Sequence, residues 1–259
     1  MSDTASELLI TLALFGGMLL FLETGRRLGM RRLARDPKGA HLGTNAVDGA
    51  VFALLGLLIA FTFSGAASRF DERRQLIVQE ANEIGTAYRR LDLLPPVAQP
   101  ALKDLFRRYV DSRIEVYRKW RDTEATRAEQ ARTAKLQGEI WSSAVAASRM
   151  EGAQPQASML VFQSLNQMID ITNTRARAAE MHPPGAIYGL LFILAIAGAL
   201  FAGYGMAGSK SRSWVHMIGF GATIAAAIYI IMDLEYPRHG LIRLDDFDKV
   251  LIDVREDMR

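Results

Sequence analysis

The sequence predicts an all-α membrane protein: four transmembrane helices, with an extramembrane antiparallel helical bundle between the second and the third. Three observations lead there. Four apolar blocks lie towards the two ends, around residues 8–22, 49–68, 185–208 and 214–232, and about 20 apolar residues are what a helix needs to cross a bilayer. The stretch from Arg69 to Pro184 is polar yet keeps helical spacing of its apolar residues. Proline and glycine clusters, rather than strand-like alternation, separate the periodic stretches. The expected organisation is an N-terminal hairpin over 1–68 (spans about 5–23 and 47–68), a helical stalk over 69–184, a C-terminal hairpin over 185–232 (spans 185–208 and 214–232), and a tail over 233–259.

The first block, Leu8 to Leu22, is fifteen residues long and crosses only with help from its flanks. A cleaved signal peptide would need a basic leader. Here Asp3 and Glu7 precede the run and the arginines follow it, so a retained helix is expected. Residues 24–45 then hold six Lys or Arg against one Asp. Such an excess favours a cytoplasmic loop beside lipid headgroups.

The second block organises the chain. Gly49 to Ser68 carries no charge over twenty residues and continues without proline to Leu94. Phe70, Ile77, Ala81, Ile84, Tyr88 and Leu91 follow on steps of seven, four, three, four and three, one face of a helix. A single rod from Asn45 to Leu94 would be about 70 Å long, well beyond a bilayer core of about 30 Å. Leu94-Pro95-Pro96 stops it.

A further helix is expected from about Gln99 to Arg149, with Leu102, Leu105, Phe106, Tyr109, Val110, Val116, Tyr117 and Trp120 on an apolar stripe. Its middle, Asp122 to Lys135, is polar all round and should project furthest. Glu151 to Gln156 is a break, and Ala157 to Glu180 forms the last stalk helix. Together these suggest an antiparallel bundle.

Gly185 to Gly208 is uncharged over 24 residues, and Trp214 to Met232 is the fourth span, with Trp214 and Tyr229 as interfacial aromatics. Lys210 and Arg212 lie in a short turn between them. Gly185 with Gly189, Gly198 with Ala202, and Gly221 with Ala225 have the spacing of close helix packing. In the tail, Asp245 or Asp246 could cap a short amphipathic helix using Phe247, Val250, Leu251 and Val254. By basic-residue count the loop 24–45 and the Lys210–Arg212 turn lie inside, which puts the stalk outside; Arg69, Arg73, Arg74, Arg175 and Arg177 partly offset that count.

The composition narrows function. A net charge of +3, from 31 basic and 28 acidic residues, gives nucleic-acid binding no electrostatic support. The absence of cysteine removes disulfides, thiolate nucleophiles and cysteine metal sites. Gly203-Tyr-Gly205-Met-Ala-Gly208 fits GxGxxG but sits at the end of a membrane span, not in the strand–turn–helix unit a dinucleotide needs. His41, His182, His216 and His239 have no ligand spacing, and Asp48, Asp233 and Glu235 read as boundary residues. With no nucleophile–base pair and no phosphate loop, no enzyme is expected, and neither is a cofactor or a metal.

Two features of the second helix bear on ions. Leu55, Ile59 and Phe63, spaced i, i+4 and i+8, project from one side. In a ring of subunits they would stack as apolar constrictions that gate by dewetting; in a monomer they would face lipid or neighbouring helices. Beyond them Arg69, Asp71, Arg73, Arg74, Glu80 and Glu83 form either a charged vestibule that concentrates ions or an ion-paired helix surface.

The run from Phe52 to Arg74, FALLGLLIAFTFSGAASRFDERR, continuing into Glu80-Ala-Asn-Glu-Ile-Gly-Thr-Ala-Tyr88, resembles the signature of bacterial bestrophin-like membrane proteins. So does Asp233-Leu-Glu-Tyr-Pro-Arg-His-Gly-Leu-Ile242. A more distant likeness is to the bestrophins, pentameric anion channels whose second membrane helix lines an apolar neck and runs on into a helical extramembrane domain. Phe63, Ala67-Ser68 and Phe70-Asp71 echo that helix, whereas Glu72-Arg73-Arg74 stands where bestrophins carry a tryptophan pair. The resemblance implies a homo-oligomer in a bacterial inner membrane, a pentamer by analogy, with Leu55, Ile59 and Phe63 in the neck and an inorganic anion favoured over a cation. It also implies a cytoplasmic stalk, against the charge count. Asp245, Asp246 and Asp248 do not match the calcium-binding motif of the animal proteins. The alternative is a non-conducting sensor or scaffold whose stalk binds a partner.

Overall fold

The computed structural model describes residues 3–35, 44–120, 122–208, 213–238, 240–242, 244 and 249–258. These form eight α-helices: α1 (Asp3–Arg35), α2 (Thr44–Arg90), α3 (Gln99–Arg118), α4 (Thr123–Ser148), α5 (Pro155–Glu180), α6 (Gly185–Gly205), α7 (Trp214–Glu235) and α8 (Lys249–Glu256). Four segments are long and apolar enough to cross a membrane: Ala5–Arg35 on α1, Ala46–Leu93 on α2, Pro155–Gly208 over α5 and α6, and Trp214–Glu235 on α7.

The first helix runs well past its apolar block. Nothing in Thr24 to Arg35 breaks a helix, so most of the arginines expected in a loop lie on α1 instead. Residues 36–43 of that loop, with Lys38 and His41, lie outside the described residues, as do Lys210 and Arg212. α2 is a single helix of 47 residues with no break between Ala66 and Phe70. It ends in a 3-10 turn, Leu91–Leu93, and Leu94 turns extended (φ −85°, ψ 161°) ahead of Pro95.

The expected single helix from Gln99 to Arg149 is two. α3 stops at Arg118, and the Asp122 side chain accepts from the N–H groups of Glu124 and Ala125 at 3.1 and 3.0 Å to start α4. α4 packs on both α3 and α5. The Asp122–Lys135 stretch is therefore not polar surface all round: Glu129 and Thr133 are buried, and Ser112 of α3 bonds to both. Gly152, at φ 82°, supplies the left-handed turn after α4 that a side chain would resist.

The chain divides into two compact units, Met1–Phe70 with His182–Arg243, and Asp71–Met181 with Leu244–Arg259. The first is the membrane unit. Its core joins Leu14, Met18 and Leu22 of α1, Leu55 and Ala66 of α2, Leu191 and Ala195 of α6, and Met217 and Ile228 of α7. α1 and α6 touch backbone to backbone. A Cβ on Gly25 would collide with the Leu200 carbonyl, on Gly29 with the Tyr204 carbonyl, and on Gly203 with the Leu22 backbone. Among the glycines expected to pack, Gly198 contacts Phe52 and Leu55 and Gly221 contacts Phe15, whereas Gly185 and Gly189 face open space.

The second unit is a helical bundle around Ile84, Phe106, Tyr109, Leu136, Ile140, Leu165 and Met168. The tail does not stand apart from it. Leu251 of α8 and Met258 are fully buried in that core, Arg255 pairs with Asp111 at 2.7 Å, and the Met258 carbonyl accepts from Arg107 and Tyr88. The capping residues considered for this helix, Asp245 and Asp246, with Phe247 and Asp248, lie outside the described residues.

Candidate functional site

α2 is covered least by its own chain. Only 11% of its apolar window is buried, against 28%, 22% and 33% for the windows of the other three spanning segments. Its two faces differ sharply. Leu55 is 2% exposed and lies against Gly198 of α6, Ala66 is fully buried, and Ile59 packs partly into the same core. Turned the other way are Leu57 and Phe61, 52% and 67% exposed, then Ser64 and Ser68 on successive turns.

The three residues singled out as a ladder thus do not share an open face. Leu55 and Ile59 point into the subunit and Phe63, 47% exposed, lies at the flank. The spacing was that of one helix face; which face is turned outward is set by α6 and α7.

The charges beyond the span separate in the same way. Arg69, still in the membrane unit, donates from Nε to Glu235 at 2.8 Å, and its Nη2 reaches the same oxygen. Glu235 has no solvent exposure, and Nδ1 of His182 stands 3.5 Å from its other oxygen. His182 stacks on Tyr236 with ring centres 4.6 Å apart. Asp233, also buried, accepts from the backbone N–H groups of Leu241 and Ile242 at 2.9 Å each. Asp233 and Glu235 are therefore interior groups, not boundary residues: α7 extends to Glu235 and turns both inward. His216 is exposed and bonds Ser213, while His239 lies outside the described residues.

In the helical unit, Asp71 and Arg74 are solvent-facing and pair with each other at 3.0 Å. Glu83 is partly buried. Arg73 is buried and donates to the carbonyls of Ala178 and Met181, filling the acceptors at the end of α5. Glu80 is wholly buried between Arg113 of α3 and Arg175 of α5, each at 2.5 Å, with the Tyr117 hydroxyl donating to it at 3.2 Å. The Arg175 guanidinium also lies 3.8 Å over the Tyr117 ring. Burial alone would raise the Glu80 carboxyl, but the two guanidiniums outweigh it and hold it below its usual value. Of the six charges read as a vestibule, Arg73 and Glu80 are thus withdrawn from solvent and occupied in packing. The two arginine partners of Glu80, 33 and 95 residues away in the chain, and the carbonyls that Arg73 reaches, 105 and 108 residues away, leave no local trace in the sequence.

Among the described residues no group of three or more His, Asp or Glu is placed to hold a metal ion.

Comparison with known proteins gives three results. The Bestrophin-like domain model matches residues 17–246. No curated protein matches the chain. Solved structures of a bacterial bestrophin homologue from Klebsiella pneumoniae share the fold. Its tryptophan-to-alanine variant superposes with a TM-score of 0.70 at 17% identity, covering 95% of this chain and 98% of that one. The isoleucine-to-threonine variant gives 0.69 at 15% identity, covering 94% and 98%.

Proposed function

Since the chain belongs to the bestrophin-like family of multi-pass membrane proteins, we propose that it assembles as a homo-oligomeric ion channel in a bacterial inner membrane, with α2 lining the pore. The observation that carries this reading is the bare outer face of α2. A helix of that apolarity, with one tenth of its window covered by its own subunit, has a face left for copies of itself and for a central axis.

On this reading the pore lining is the exposed stripe. Leu57 and Phe61 form apolar rungs that close by excluding water. Ser64 and Ser68 follow as hydroxyls able to donate to a passing anion. Phe63 lies beside this stripe, and Leu55 and Ile59 hold α2 to its own subunit. In the helical unit, Asp71 and the partly exposed Arg74 remain the candidates for concentrating ions. The likeness to bestrophins favours an inorganic anion, and a pentameric ring is adopted by the same analogy. The stalk's side of the membrane is assigned by neither argument, because charge count and likeness disagree.

Planar-bilayer recording of purified oligomers tests the reading. The unaltered chain should conduct, and Leu57→Ala with Phe61→Ala should raise single-channel conductance several-fold by widening and wetting the constriction. Leu55→Ala should leave conductance unchanged while lowering stability by about 2–5 kcal/mol, the usual cost of a core truncation. Verified oligomers that pass no current at any voltage or pH would overturn the channel.

One observation favours a second reading, a non-conducting sensor whose helical unit binds a partner. An open groove of about 630 Å³ runs between Asn82, Gly85, Thr86 and Arg89 of α2 and Val254, Asp257 and Met258. Under it, Phe61→Ala leaves ion flux unaffected and Thr86→Trp, which fills the groove, abolishes partner capture.

A further inference from the structure

α1 ends as a helix with one face docked and the other covered with arginine, and we propose that this outer face is a docking surface for anionic phospholipid headgroups. Two glycines fix its rotation. Gly25 and Gly29 lie so close to Leu200, Tyr204 and Ala207 that no side chain fits between, so the opposite face must point away from the subunit. On that face stand Leu20, Thr24, Arg27, Arg31 and Arg35, on steps of four, three, four and four, every one of them exposed.

The arginines are not equivalent. Arg26 is buried and turned to Glu23 at 3.3 Å. Arg27 is exposed, yet its Nε also reaches Glu23, at 2.8 Å. Arg31, Arg32 and Arg35 are exposed and pair with no carboxylate among the described residues. Leu28 and Met30, 46% and 36% exposed, lie between these cations.

This is the chemistry of a membrane interface. The surface continues a membrane-spanning helix, so it meets the headgroup layer without any movement of the chain. Its apolar side chains suit the acyl boundary and its guanidiniums suit phosphodiester oxygens, which they grip as a planar fork. Arg31 and Arg35 lie about 6 Å apart along the axis, close enough to share one headgroup. The bland account is that arginines in a last helical turn complement the helix dipole. That role is indifferent to which lipid is present, which separates the two.

The full chain in detergent micelles, titrated with phosphatidylglycerol or phosphatidylcholine, can be read by native mass spectrometry. Phosphatidylglycerol should bind more tightly. At about fivefold per arginine near a membrane surface, R31Q/R35Q should lose on the order of 25-fold in phosphatidylglycerol affinity and nothing for phosphatidylcholine. R31K/R35K should keep most of it, and so should R118Q/R132Q, which removes two exposed arginines of the helical unit. Equal phosphatidylglycerol affinity in R31Q/R35Q and the unaltered chain, or an equal loss in R118Q/R132Q, overturns the proposal. If R31Q/R35Q does not fold, the unaltered chain decides: affinity for phosphatidylglycerol must fall as NaCl rises from about 50 to about 500 mM, and a salt-insensitive affinity overturns it. None of these outcomes depends on conduction.

Discussion

Glu80 is a carboxylate without water, balanced by two guanidiniums and a tyrosine hydroxyl. Removing its charge leaves Arg113 and Arg175 buried and uncompensated, which costs about 3–5 kcal/mol for a pair broken on one side. Glu80→Gln should therefore lower the urea midpoint of unfolding markedly, and a midpoint unchanged within error would show that the cluster is idle. The pH dependence has a definite sign. The folded-state carboxyl titrates below its ordinary value of 4.5, so its stabilisation is fully present above about pH 4.5. It is lost progressively as pH falls below that value towards the depressed folded one. Glu129, held down by its hydrogen bond from Lys119, acts in the same direction. Stability should be flat from neutral pH down to about 5 and decline in acid, with a shallower decline in Glu80→Gln. The sequence offered Glu80 as one of six charges beyond the span, in a vestibule or on an ion-paired surface. It could not supply the partners, because both come from helices far along the chain.

At the scale of elements, α1 and α6 are held by small residues, which allow two backbones to touch where larger side chains would hold them apart. Gly203→Ala inserts a methyl group into the Leu22 backbone and should cost about 1–3 kcal/mol, as overpacking does. Gly205→Ala, facing open space two residues on, should be neutral. Thermal denaturation in detergent distinguishes them, and equal losses would mean that the α1–α6 contact is not tight. Gly203 and Gly205 both belong to the GxGxxG match, so one chance pattern conceals one packing glycine. The lengths of α5 and α6 were readable to within a few residues from apolar runs and proline breaks. The turn between α3 and α4 was not, because Asp122 looks like one polar residue among many until its oxygen is seen capping the next helix.

At the scale of the whole molecule, each compact unit is built from two separate stretches of chain, and the division falls inside α2. The C-terminal segment returns to the helical unit, where Leu251 and Met258 complete the core. Deleting residues 249–259 should open that core, so hydrogen exchange at α3 should speed up at least tenfold; unchanged protection would mean that α8 is an accessory. The sequence by itself determined four apolar spans, the helical bundle between the second and third, and the unbroken course of α2, because segment hydrophobicity, helical period and proline breaks are local properties. Only the tertiary structure decided which face of α2 is bare, which charges are interior and where the tail lies. A helix turns about 100° per residue, so the spacing that marks out a stripe is satisfied equally by stripes on opposite sides. The choice between them is made by Gly198 and its neighbours on α6, contributed more than a hundred residues later in the chain.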